Sequence, residues 1–437
     1  MNAHRKSFWK TSTLALLFAL LMFGAAVVAG RWEALGAAPW FQATAVVILT
    51  GVGVAAALAA MGGFVVLHRD TLQSSGRTDL FVRLNRDRSE SALLQGGRRG
   101  LRLPFSRGAK WMPQVGEMVQ VKSFAEIAAT LDAKGQLEGL PFMAEMARFC
   151  GKRVHVFRCV DKMYDYGRTK TLRRLDHAVE LNLFRCDGAA HGGCQAACYI
   201  VWKTDWLRPV ADAAPSPLVD DDGSAVAAAA AALPATVQRN PDGSLVYSCQ
   251  YTDLAAAAKP MSKLDVRHEL QPLLCGNVTL AAFCVAGLTR LFNRLQRARR
   301  GVTFPYMPPG TQTQTPLVNL NLQVGEIVRV HSAERISLTL NDKGRNRGLW
   351  FDGELLKSTN QRFKVTARVD RLIDDATGRM LDMKTPCIVL DNLYSTGEYL
   401  RFCSQHDLAY WREAWLTRDA VSGSESQPDE QPQAVHR

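Results

Sequence analysis

Two kinds of hydrophobic pattern divide the chain. Leu14 to Ala29 and Ala43 to Leu67 are uncharged apolar runs, and the first is extended at its edges by Thr13 and Gly30. Runs of this length predict two membrane-spanning helices, at about 12–30 and 43–67. Beyond Trp111 the apolar stretches are short. Val119 and Val121 alternate with polar neighbours, as do Val154 and Val156, which is the period of half-buried strands. Phe142, Met146 and Phe149 share one side of a helical turn or two, and Cys150-Gly151 offers a stop. Farther on, Leu280, Cys284, Leu288, Leu291 and Leu295 fall on one face of a helix predicted over 278–299, with Asn277 placed to cap it.

The strand-rich pattern occurs twice. Gln114 to Leu207 returns as Gln323 to Leu416 at a constant offset of 209 residues, without a gap. Gln-Val-Gly-Glu heads both copies. Ser123 meets Ser332, Lys134-Gly135 meets Lys343-Gly344, Gly139-Leu140 meets Gly348-Leu349, Phe142 meets Phe351 and Glu145 meets Glu354. Each copy ends on Trp-x-x-x-Trp-Leu, at Trp202/Trp206 and Trp411/Trp415. Two tryptophan pairs in register mark an internal duplication, and a duplication sets the domain plan.

The order Gly-x-x-Val-x-Val, Phe-x-x-Glu-Met, Gly-Lys-x-x-x-Val and a closing tryptophan resembles SH3-like barrel modules. That resemblance implies a small barrel with a binding habit, and it brings no catalytic residue. Gly139-Leu-Pro-Phe142-x-x-Glu145-Met146, His191-Gly-Gly-Cys194-Gln-Ala196 and Trp-x-x-x-Trp-Leu also resemble an uncharacterised bacterial family associated with biosynthetic gene neighbourhoods. It implies no established activity. The expected fold is therefore an N-terminal transmembrane hairpin followed by a mainly β (α+β) cytoplasmic region. Two tandem SH3-like repeats would be joined by a linker and an amphipathic helix. The expected segments are 1–68 (membrane hairpin), 69–111 (basic linker), 112–210 (repeat 1) and 211–245 (Ala/Pro-rich, low-complexity linker). They continue as 246–300 (helical middle piece), 301–320 (Pro/Thr connector), 321–419 (repeat 2) and 420–437 (polar tail).

Charge gives the orientation. The net charge is +12. One cation lies between the two apolar runs, whereas Arg69, Arg77, Arg83, Arg86 and Arg88 open a long arginine-rich stretch after the second. Positive flanks stay inside. The chain therefore reads as a two-pass protein of a bacterial inner membrane with both termini cytoplasmic. A cleaved signal ending near Val27-Val-Ala29 is the competing reading of the first run, and it leaves the bulk on the same side. The arginines are expected to meet anionic lipids of the inner leaflet. Few aromatics interleave with them, so nucleic acid is disfavoured as a partner. An unknown protein or small molecule is the expected partner of the repeats.

Chemistry concentrates in Cys186, His191, Cys194 and Cys198. Three thiols and an imidazole match a closed tetrahedral zinc set, with Gly188, Gly192 and Gly193 letting the loop turn. An iron–sulfur cluster or redox thiols is the second reading, and small buried thiols with no metal is the third. In repeat 2 these positions become Ser395, Leu400, Cys403 and Asp407, so the set is not duplicated. Trp202, Trp206, Trp411 and Trp415 read either as a binding face or as core. Asp161 with Asp165, and Asp370 with Asp374, read as turn residues before acid–base pairs. The chain has no phosphate-binding, dinucleotide or nucleophile-elbow motif. Two functions stay open: a membrane-anchored binding or scaffold protein, and a metal- or thiol-dependent accessory enzyme acting at the membrane.

Overall fold

The computed structural model describes residues 111–210, 215–216, 223–262 and 267–419. Both apolar runs, the arginine-rich stretch with Arg69, Arg77, Arg83, Arg86 and Arg88, and the polar tail lie outside these residues. Among the described residues no helix is long and apolar enough to cross a membrane.

The described region is mainly β. Repeat 1 carries β1 (Met118–Val121), β2 (Gln136–Leu137), β3 (Leu140–Pro141), β4 (Arg153–Tyr164), β5 (Leu172–Arg185), β6 (Tyr199–Lys203) and β7 (Leu207–Pro209). Its sheet runs β7-β1-β4-β5, and β6 pairs with β5. The segment between the repeats adds β8 (Val237–Arg239), β9 (Leu245–Tyr247) and β10 (Lys259–Pro260). Repeat 2 carries β11 (Ile327–Val330), β12 (Arg345–Asn346), β13 (Leu349–Trp350), β14 (Arg362–Ile373), β15 (Met380–Tyr394), β16 (Leu408–Trp411) and β17 (Leu416–Arg418). Its order is β17-β11-β14-β15-β16. In both repeats the last strand pairs with the first.

The strand registers repeat at the sequence offset. Val119 faces Pro209 as Val328 faces Arg418, and Val179 faces Trp202 as Ile388 faces Trp411. The far end of the long hairpin departs from this. Lys162 faces Arg174, but Arg371 faces Asp382, one position short of the offset. A tighter turn in repeat 2 is compensated inside the neighbouring bulge, so the gap-free alignment conceals a local slip.

The shared residues explain the shared elements. Ser123 and Ser332 each cap a short helix by accepting from the amides of Glu126 and Arg335. Gly135 and Gly344 have φ of +70° and +67°, which a β-carbon disfavours. In repeat 1 a 3-10 turn at Ala144–Phe149 follows, and Gly151 reverses the chain at φ +76°. Asp165 accepts from the amides of Arg168 and Thr169, and Asp374 binds the Thr377 hydroxyl, so these aspartates shape turns.

The tryptophans form the cores. Trp202, Trp206, Trp411 and Trp415 are fully buried, which removes them as a binding face. Trp202 and Trp206 stand edge-to-face at 6.4 Å, and Trp411 and Trp415 repeat this at 6.4 Å. Phe142 and Phe351 complete the two clusters. Packing these large surfaces inward outweighs any value as exposed contacts.

Both repeats and the chain between them up to Ala286 belong to one compact unit. The repeats meet with pseudo-twofold reciprocity: the Gln195 amide donates to the Arg371 carbonyl at 3.1 Å, and the equivalent Ser404 amide donates to the Lys162 carbonyl at 2.9 Å. Each long hairpin thus lies on the other repeat, as self-complementary contacts require.

The segment between the repeats is more ordered than its composition suggests. A helix at Ser224–Ala232 packs Ala229 against Ala144 and Ala147. The alanine run works here because small side chains let backbones approach. Asn277 does not cap the next long helix, which spans Leu280–Ala298. Its amide instead bonds both the amide and the carbonyl of Cys159, at 2.9 and 2.8 Å, and Thr279 accepts from the Ala282 amide. Leu280, Leu291 and Leu295 on that helix stay exposed.

Candidate metal centre

Glu145 enters on the 3-10 turn of repeat 1, almost fully buried. Cys186 follows directly on β5. The loop then closes on itself around Ala189–His191, with Gly188 at φ +72° and Gly192 at φ +65°. A β-carbon at Gly188 would strike the Cys194 carbonyl, so glycine is required there. The Gly188 carbonyl accepts from the amides of His191 and Gly193, both at 2.9 Å. This tight turn aims His191 inward, where it too is almost fully buried.

The three side chains converge. His191 Nε2 lies 2.8 Å from Glu145 Oε1, and the Cys186 thiol donates to the same oxygen at 3.5 Å. Their ligand atoms all lie within 4.8 Å of one another. A zinc tetrahedron built from bonds of ~2.0–2.3 Å has edges of roughly 3.5 Å, so seating an ion needs the Glu145–His191 pair to part slightly from 2.8 Å. Glu145 Oε2 and His191 Nδ1 are buried with no hydrogen-bond partner. Such orphaned atoms are costly unless something else satisfies them. A carboxylate, an imidazole and a thiol suit zinc, and three protein ligands leave one position open.

The expected ligand set is therefore corrected. Cys186 and His191 come together, Cys194 and Cys198 do not join them, and Glu145 takes a place that sequence spacing did not assign. The Cys194 sulfur instead accepts from the Ile373 amide at 3.4 Å, and the Cys198 carbonyl accepts from the Cys186 amide at 2.9 Å. An iron–sulfur cluster needs several thiolates at one point, and the convergent group holds one thiol. Cys194 and Cys198 do share a cavity of about 40 Å³ with Cys186, His191, Cys249 and Asp375.

The electrostatics resist a bare thiolate. Burial, and then the Glu145 charge, push the Cys186 thiol far above its usual range. Burial lifts Cys249 to about 11. Asp375 is raised to about 7 by burial and by Asp407, Asp407 to about 6 by burial, and Glu180 to about 8 by burial. Arg185 opposes the shift at Asp407 and, with Arg158, at Glu180.

Repeat 2 shows the same carboxylate without the rest. Glu354 accepts from the Thr396 amide at 2.8 Å and from the Ser395 hydroxyl at 3.4 Å, and burial raises its carboxyl. In repeat 2 the carboxylate is thus a structural acceptor, whereas in repeat 1 a thiol and an imidazole stand beside it. The pairing of Glu145 with Glu354 in the repeat register was the one signal that could have found the missing ligand. No known protein family, characterised protein or solved structure matches the chain.

Proposed function

We propose that the protein is a membrane-anchored binding protein of the bacterial inner membrane, with two SH3-like barrels on the cytoplasmic side and a zinc ion held in repeat 1. The carrying observation is the convergence of buried Glu145, Cys186 and His191 with two of their polar atoms unpartnered. The barrel reading is supported by the strand order β7-β1-β4-β5-β6, by the 3-10 turn before β7 and by the identical arrangement in repeat 2. The anchor rests on the two apolar runs and the arginines after them. On this reading the metal has a structural or regulatory role, with its open position available to a ligand. It would tie the 3-10 turn to the Cys186–His191 loop.

Metal analysis of the full chain, purified from membranes without oxygen, tests this. One zinc per chain is expected in wild type, lost in Cys186→Ser and Glu145→Gln and retained in Cys194→Ser. A metal-free wild type overturns the metal assignment. Iron with visible charge-transfer bands would favour the accessory-enzyme reading.

A further inference from the structure

A surface helix of a globular protein points its apolar stripe at the core. The helix Leu280–Ala298 does the reverse. Leu280 is 63% exposed, Leu291 37% and Leu295 42%. Cys284 on the same stripe is exposed as well, and Leu288 at its edge is half-buried. The other side of the helix is the one that is held. Ala286 is buried with Val278 and Phe402, and Phe283 stacks on Phe402 at 5.7 Å. Two turns on, Asn293 clasps the backbone of Phe304. Its side-chain nitrogen donates to the Phe304 carbonyl at 2.5 Å, and its oxygen accepts from the Phe304 amide at 2.7 Å. At the α-helical pitch Ala286 and Asn293 lie across the helix from Leu291 and Leu295. The contacts that hold the helix therefore leave its leucine row facing outward.

Arginines frame that row. Arg290, Arg294 and Arg297 fall along one flank and Arg299 along the other. Arg294, Arg297, Arg299 and Arg300 are exposed. No aspartate or glutamate occurs in the sequence between Glu269 and Glu326. Glu269 is itself engaged, accepting from Arg401 Nε at 2.6 Å. The arginines in the second half also bar the helix from crossing a bilayer, and among the described residues no helix is long and apolar enough to do so.

We propose that this helix lies in the interface of an anionic lipid leaflet, with the row from Leu280 to Leu295 at the acyl boundary and the arginines among the headgroups. A leucine row flanked by cations is the make-up of interfacial helices, which gain from buried apolar area and from anionic headgroups together. Arginine stems reach along the apolar row while their heads meet the phosphates. The charge fixes the sign of the occupant, and the membrane anchor of the preceding reading makes a bilayer the anionic surface always at hand. The inference rests on that membrane part of the reading and not on the metal.

Cys284 supplies the probe. All ten cysteines are among the described residues, and Cys284 alone is exposed. The full chain is reconstituted in phosphatidylcholine nanodiscs with and without phosphatidylserine. A water-soluble maleimide is added, and its uptake at Cys284 is followed by peptide mass spectrometry. The rate is expected to fall at least about tenfold in the phosphatidylserine discs. That difference should vanish in the Arg294→Glu, Arg297→Glu and Leu291→Glu, Leu295→Glu double variants, and shrink with salt in wild type. Equal rates in the two lipids overturn the proposal. If Cys284 is slow in both, the cover is the chain itself or neutral lipid; if fast in both, the row is bare. Slowing in neutral lipid that follows protein concentration makes a second copy the occupant and overturns it too. Alkaline carbonate extraction of the same chain from membranes reads the anchor separately. An extractable chain whose Cys284 is still shielded by phosphatidylserine vesicles leaves the helix standing without the anchor. A chain that resists extraction while Cys284 reacts equally in both discs leaves the anchor standing and removes the helix.

Discussion

Glu145 and Glu354 occupy one position and do different work. Without a thiol and an imidazole the carboxylate braces a loop; with them it stands in a group that could hold a metal ion. The neighbouring Thr130 illustrates the opposite case, a role kept in both copies. Its hydroxyl accepts from Trp206 Nε1 at 3.1 Å, and Thr339 serves Trp415 at 3.0 Å. Thr130→Val should leave a buried indole donor unpaired and cost about 1–3 kcal/mol in urea unfolding, with Thr339→Val costing a similar amount. Glu180 gives a pH prediction. Its carboxyl is raised from 4.5 to about 8 by burial, and both oxygens lack partners. The folded state then holds a proton that the unfolded state releases, so stability is greatest below the unfolded value and falls as pH rises toward 8. The loss is roughly 1.4 kcal/mol per pH unit across that window. Glu180→Gln should therefore gain on wild type between about pH 5.5 and about pH 8.5, read from urea midpoints. An unchanged difference between the two chains would show that Glu180 does not titrate there.

At the scale of elements, the long hairpins are the parts that the alignment described least well. Their turns carry the join between repeats. A β-carbon at Gly167 would lie 2.7 Å from the Asp375 carbonyl oxygen, backbone against backbone. Gly167→Ala should therefore push the two hairpins apart at a cost of roughly 1–3 kcal/mol. Hydrogen exchange should report it as faster exchange at Asp370 and Arg371, whose amides bond the Gln195 side chain. Protection unchanged at those amides would refute the contact. The Ser224–Ala232 helix makes a related point. Its composition reads as low-complexity linker, and only the surface formed by Ala144 and Ala147 gives it a place to pack.

For the whole molecule, reciprocal hairpins mean that neither repeat is covered without the other. The described repeats should unfold in one transition, with fluorescence of the buried tryptophans and far-ultraviolet ellipticity coinciding. Two separated transitions would show that the repeats are independent beads. The sequence by itself determined the duplication, the strand-rich class, the turn glycines and the Cys186–His191 part of the site. These depend on local spacing and on chemistry that each copy repeats. Only the tertiary structure decided the rest: that the tryptophans face inward, that Glu145 joins Cys186 and His191, and that Asn277 serves Cys159. Those outcomes depend on which surfaces meet across 40 or more residues of chain, as between Glu145 and Cys186. Periodicity along a strand says which side a residue faces and does not say what lies opposite it.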